Sequence, residues 1–63
     1  MDIQIGDIIM DKSDDILYIV KGITVKNGIK DNRFIQFGDV DDPHKYTYSL
    51  TEKAINREFQ KIC

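Results

Sequence analysis

The sequence has no tryptophan, one cysteine, one histidine and one proline, and each scarcity removes a class of function. Cys63 is the last residue, so neither an internal disulfide nor a thiolate zinc site can be built. A terminal free thiol suits a reducing compartment, and the expected location is the cytoplasm. No apolar run approaches the ~20 residues that span a bilayer. The start, with Asp2 and no basic stretch, lacks the design of a secretory leader, and no membrane partner is expected. Charge of one sign is lacking too: nine basic and eleven acidic side chains give a net charge of −2 and a pI near 5.1. That balance counts against a dedicated duplex-DNA binder, which carries a basic patch.

Catalytic and ligand-binding motifs are also missing. No serine or cysteine is placed beside His44 by any motif, so a nucleophilic triad has no support, and His44 reads as a solvated loop side chain. An EF-hand-like loop needs glycine at its sixth position and glutamate at its twelfth. Counting from Asp39, those positions hold His44 and Leu50; counting from Asp11, the sixth is Ile16. Glycines 6, 22, 28 and 38 lack the Gly, Lys and Ser/Thr spacing that cradles phosphate, and read as turn and bulge residues. The expectation is a protein with no metal, no cofactor and no enzymatic activity, since too few polar groups can be shielded from water for preorganised chemistry.

What is present is an ordinary globular balance, 41% hydrophobic and 32% charged. Sixty-three residues support one domain, over residues 1–63, with one core and one working surface. Without disulfide or metal, stability must come from that core, from turn and helix chemistry, or from association.

Ile3, Ile5, Ile8 and Met10 form a strand-like pattern whose inward phase changes once, with Gly6 marking the kink. Residues 11–15 are polar turn formers and read as a loop. Residues 16–25 are β-branched and aromatic almost throughout, with Ile16, Tyr18 and Val20 on one face and Leu17, Ile19 and Ile23 on the other. Asn27-Gly28 is the strongest hairpin signal, because both residues accept the positive φ of a type I′ turn, and Asp31-Asn32 competes with it. Residues 33–37 alternate, placing Ile35 with Phe37 and Phe34 with Gln36. Residues 38–44 combine a glycine, three carboxylates and a proline and form an acidic loop. Tyr46, Tyr48 and Leu50 then alternate with polar residues as a fourth strand with one face in the core. Ser49 and Glu52 have capping-box spacing and Thr51 is a second cap, so a short helix begins near residues 50–52. Ala54, Ile55, Phe59 and Ile62 can cover the core from it, with residues 59–62 also able to form a closing strand.

This order of elements is similar to that of small SH3-like barrels. Gly6-Asp7-Ile8-Ile9 resembles the Gly-Asp-hydrophobic signature that opens many of them, while residues 16–20 and 50–62 resemble their second strand and closing segment. The resemblance implies a mostly β fold of about five antiparallel strands with one short C-terminal helix or 3-10 turn. Signalling members of that group bind proline-rich peptides in a tryptophan-bearing groove, which this chain lacks. KOW-type relatives, which associate with RNA or transcription machinery, carry a basic glycine-rich turn where residues 11–15 are acidic here. The chain also resembles short bacteriophage and prophage proteins rich in Ile, Asp and Lys, which implies an accessory factor that binds a host or phage protein.

Three sets of residues are candidates for a working surface. Phe34 and Tyr48 are the rings expected at the surface, where an exposed aromatic edge makes a protein interface. The same rings, with Arg33 and Lys45 tracking a backbone, would suit single-stranded nucleic acid. Asp39, Asp41 and Asp42 would join Asp11, Asp14 and Asp15 in a negative patch if the two loops meet, attracting a basic partner or imitating nucleic-acid phosphates. The expected function is a non-catalytic protein-protein interaction module, with a nucleic-acid-associated domain and an acidic decoy as alternatives. An unpaired edge strand would also allow a homodimer.

Overall fold

The computed structural model describes residues 2–28 and 32–63. Five strands, β1 (Ile8–Asp11), β2 (Leu17–Val25), β3 (Arg33–Asp39), β4 (Tyr48–Thr51) and β5 (Phe59–Lys61), are joined by one helix, α1 (Glu52–Glu58), between β4 and β5. All neighbouring strands are antiparallel, in the order β4-β3-β2-β1-β5, and the sheet curls into a half-barrel. The mostly β class, the five antiparallel strands and the short C-terminal helix are as the sequence implies.

The strand phases come from the pleat and from one irregularity. Ile35 and Phe37, two apart on β3, point inward and are buried as their alternation requires. On β2 the register slips between Val20, opposite Phe37, and Gly22, opposite Gln36, so Lys21 is an extra residue. Such a bulge adds twist and shifts the side-chain phase by one. Val20 and Ile23 therefore both serve the core, correcting the expectation that Ile23 would face away with Leu17 and Ile19. At the N-terminal end the buried residues are Ile3 and Ile9, not Ile8 and Met10, and Ile5 is exposed. Gly6 (φ +95°) closes a turn in which Asp7 N–H donates to Gln4 O at 3.1 Å. That turn resets the phase before β1 begins.

Helix α1 starts at Thr51, whose Oγ1 accepts from Ala54 N–H at 3.2 Å. Ser49, the other expected cap, is inside β4 opposite Gln36 and accepts from Gln36 Nε2 at 3.3 Å. The helix places Ile55 in the core, and the chain then becomes β5 at Phe59. Phe59 and Ile62 would share a face in a helix, but three residues apart in extended chain they face oppositely, so Phe59 is buried and Ile62 exposed. The β2–β3 connection is wider than a two-residue turn. Lys26 N–H donates to Asn32 O at 2.8 Å, whereas a type I′ turn on Asn27-Gly28 would pair Lys26 with Ile29. Gly28 does take a positive φ (+82°), and Asp31 of the competing turn lies outside the described residues.

Polar side chains tie the elements where backbone pairing ends. Arg33 donates from Nη2 to Ile3 O (3.2 Å) and pairs through Nη1 with Glu52 (3.0 Å), joining the N-terminal segment to α1. Asp7 accepts from Gln4 N–H at 2.7 Å and pairs with Lys61 at 3.2 Å. The Gln4 hydrogen bond, aided by Lys61, holds the Asp7 carboxyl below its ordinary value of 3.8 against the opposing effect of desolvation. A carboxylate with a depressed folded-state pKa contributes stability that is present above the unfolded value and lost as pH falls through the folded one. Asp7→Asn is therefore expected to flatten the loss of stability below about pH 4, as read from urea midpoints along a pH series. Asp11, lowered chiefly by the Ser13 hydroxyl and then by its N–H, supplies an acid-dependent part that remains in the variant.

Candidate functional site

The acidic loop after β3 starts against the first residues of β2, just past the acidic loop after β1. Val40 N–H, just past β3, lies 3.4 Å from the Leu17 carbonyl at the start of β2, and Asp39 is registered opposite Tyr18. The loop after β1 is self-bonded: Asp11 Oδ1 accepts from Ser13 N–H and Oγ, and Asp14 Oδ1 accepts from Ile16 N–H. Tyr18 records the convergence electrostatically. Desolvation first, then the charges of Asp14, Asp39 and Asp11, push its phenol above its ordinary value. Asp11 and Asp39 end β1 and β3, and Asp14 lies in the loop after β1, so the three charges sit at the same end of the sheet.

Between these loops runs an open groove of roughly 630 Å³. Its apolar lining is Ile16, Leu17, Val40 and Tyr48, and its polar lining is Asp39, Asp41, Asp42 and Lys45. Tyr48 is the inner wall: its ring lies 5.5 Å from Phe37 and 5.8 Å from Tyr18, within an aromatic cluster that continues to Phe59. Tyr46, 6.4 Å from Tyr48, extends the aromatic surface outward, with Lys45 Nζ 5.5 Å from its ring centre. The exposed large apolar side chains among the described residues are Ile5, Ile16, Leu17, Val25, Val40, Tyr46, Tyr48 and Ile62. Four of these eight line the groove and a fifth, Tyr46, adjoins it, so exposed apolar surface is concentrated here.

The far lip is fixed by Lys21, the bulged residue of β2. Its Nζ donates to Pro43 O (2.6 Å), Thr47 Oγ1 (2.6 Å) and Tyr46 O (3.4 Å), holding residues 43–47 against the sheet. This clamp keeps Tyr46 and Thr47 off the ladder, so β4 begins at Tyr48 and Tyr46 is 55% exposed instead of serving the core as its alternation suggested. Gly38 permits the approach. A Cβ there would stand 2.8 Å from Pro43 O and 3.0 Å from Tyr46 O.

The sequence candidates separate into two groups. Tyr48, Lys45, Asp39, Asp41 and Asp42 all line the groove. Phe34 and Arg33 sit toward the start of β3, which at ~3.3 Å per residue is about 17–20 Å from Asp39 and about 10–13 Å from Phe37, the residue opposite Tyr48. There Phe34 is half-buried with Lys26 Nζ 4.7 Å above its ring, and Arg33 is engaged by Ile3 and Glu52. Ile16, Leu17 and Val40 were not singled out by sequence reasoning. Their signal was present as large apolar residues adjoining acidic turns, but only the tertiary pairing leaves them uncovered.

No group of three or more His, Cys, Asp or Glu among the described residues is arranged to hold a metal ion, and none of Asp39, Asp41 and Asp42 forms an ion pair there. No helix among the described residues is long and apolar enough to cross a membrane.

The fold and groove define a small five-stranded half-barrel with an acid-rimmed apolar cleft between its loops. No family model, curated protein or solved structure matches the chain.

Proposed function

We propose that the chain is a non-catalytic protein-interaction module that works through the groove between the loop after β1 and the loop after β3. The observation that carries this reading is the concentration of exposed apolar side chains at one rimmed depression. Single exposed hydrophobics are normal on a protein surface, whereas a contiguous apolar patch bordered by polar groups is the anatomy of an interface. Tyr48 and Tyr46 supply the amphipathic rings that dominate interface energetics. The finer expectation of a cytoplasmic SH3-like accessory factor, of the kind phage and prophage genomes encode, belongs to the same proposal.

A second reading has an observation of its own. Because Asp11, Asp14 and Asp39 converge on Tyr18, the same surface suits an acidic decoy that competes with nucleic acid for a basic protein. Direct binding of nucleic acid gains nothing comparable: Arg33 begins β3 while Lys45 lies in the loop beyond its other end, where Asp39, Asp41 and Asp42 line the same groove.

The test is affinity capture of the tagged protein from a lysate of its source organism, with and without nuclease. A protein partner retained after nuclease treatment at moderate salt is the expected result. Recovery of nucleic acid alone, released by nuclease or by salt, would sink the interaction reading in favour of a nucleic-acid-associated domain.

A further inference from the structure

We infer that the occupant of the groove is a polypeptide segment with one apolar anchor side chain adjoined by lysine or arginine. This inference rests on the interaction reading above and adds the chemistry of the partner. The apolar floor is short. Leu17 and Val40 are joined through the Val40 N–H to Leu17 carbonyl approach, with Ile16 and Tyr48 completing an apolar lining of four side chains that can receive an anchor. Carboxylates line the groove beside that floor. They are Asp39, Asp41 and Asp42, at the end of β3 and in the loop that follows it.

The charges are arranged so that only one sign of partner is favoured. Asp39, Asp41 and Asp42 have no ion pair among the described residues, so a cation can meet them without displacing an internal one. Lys45 is the single basic residue of the lining, and three carboxylates outnumber it. An acidic segment laid on Leu17 and Val40 would face the like charge of Asp39, Asp41 and Asp42, which penalises the wrong partner as it favours the right one. The pairs are at the rim, so their contribution is screened by salt, while the anchor's is not.

The experiment titrates the isotopically labelled protein by NMR with three capped pentapeptides. Each has leucine at its centre, flanked on each side by two lysines, two serines or two glutamates. The lysine peptide is expected to move the amides of Leu17, Val40 and Tyr48 and to bind most tightly. Its affinity should fall roughly fivefold or more in high salt, and by a similar factor in the triple variant Asp39→Asn, Asp41→Asn, Asp42→Asn. Unmoved amides at Val20 and Ile35 verify that the variant is folded. If the serine or glutamate peptide binds the groove as tightly as the lysine peptide, the partner chemistry is wrong and the groove reading stands. If no peptide moves the groove amides, this inference fails, and capture of a partner that ignores groove substitutions would show that the groove reading fails with it.

Discussion

Replacing Ile55 with alanine is expected to leave the domain largely unfolded at room temperature. Ile55 is completely buried and is the residue through which α1 reaches the core, where it joins Ile3, Ile9, Val20 and Ile35 among the fully buried side chains. Truncating such a residue costs about 2–5 kcal/mol, the lost transfer energy plus the cavity that the neighbours cannot close. A core in a chain below about 70–80 residues rarely supplies more than about 3–5 kcal/mol. The deletion therefore removes most of the margin. Ile55→Val, which costs about 0.5–1.5 kcal/mol, is expected to stay folded with a lower Tm, by about 4–8 °C for each kcal/mol lost. Thermal melts followed by circular dichroism distinguish the two. An Ile55→Ala protein that melts cooperatively near the wild-type temperature would mean that α1 does not close the core.

The second large effect is expected at Gly38, where stability and the groove meet. An alanine Cβ would press on the Pro43 and Tyr46 carbonyl oxygens at 2.8 and 3.0 Å, and these are backbone atoms that cannot rotate away. The turn over residues 43–47 must then lift from the sheet, stretching the Lys21 hydrogen bonds to Pro43, Tyr46 and Thr47. Overpacking of this kind costs about 1–3 kcal/mol. Since the same turn carries Lys45 and leads into Tyr48, the variant should lose affinity for its partner under conditions where it remains folded. Gly22→Ala is the control: its nearest neighbour is the tip of the Gln36 side chain at 3.3 Å, which can move, and it lies outside the groove lining. Equal effects of the two substitutions on partner binding would contradict the role given to the turn.

Much of the fold was legible because it depends on local chemistry. The Thr51 cap, the alternation of Ile35 and Phe37, the Gly6 turn and the closing strand at Phe59 each follow from side-chain type and spacing over a few residues. What was not legible depends on contacts between distant segments. The bulge at Lys21 shifts Ile23 onto the core face; Gly22 marked a bulge or turn there, but the phase it imposes on Ile23 depends on the pairing with β3. Tyr46 alternates as a core residue should, yet the Lys21 clamp, twenty-five residues away in sequence, holds its backbone off the ladder. The groove was half visible. Its acidic rim was readable as turn chemistry in residues 38–44, but its floor of Ile16, Leu17 and Val40 exists because the pairing that joins two loops leaves those side chains without a cover. Phe34 and Arg33 were grouped with Tyr48 and Lys45 on residue type alone, and the length of β3 separates them.

The most direct test of the groove as the interaction surface is the affinity of the captured partner for the double variant Leu17→Ser, Val40→Ser, measured by isothermal titration beside wild type. Both side chains are partly exposed, at 40% and 38%, and neither belongs to the buried core, so the variant should fold. The account predicts a loss of affinity of tenfold or more, about 1.4 kcal/mol, with an unchanged circular dichroism spectrum. Wild-type affinity in a folded double variant would contradict it and place the working surface elsewhere on the half-barrel.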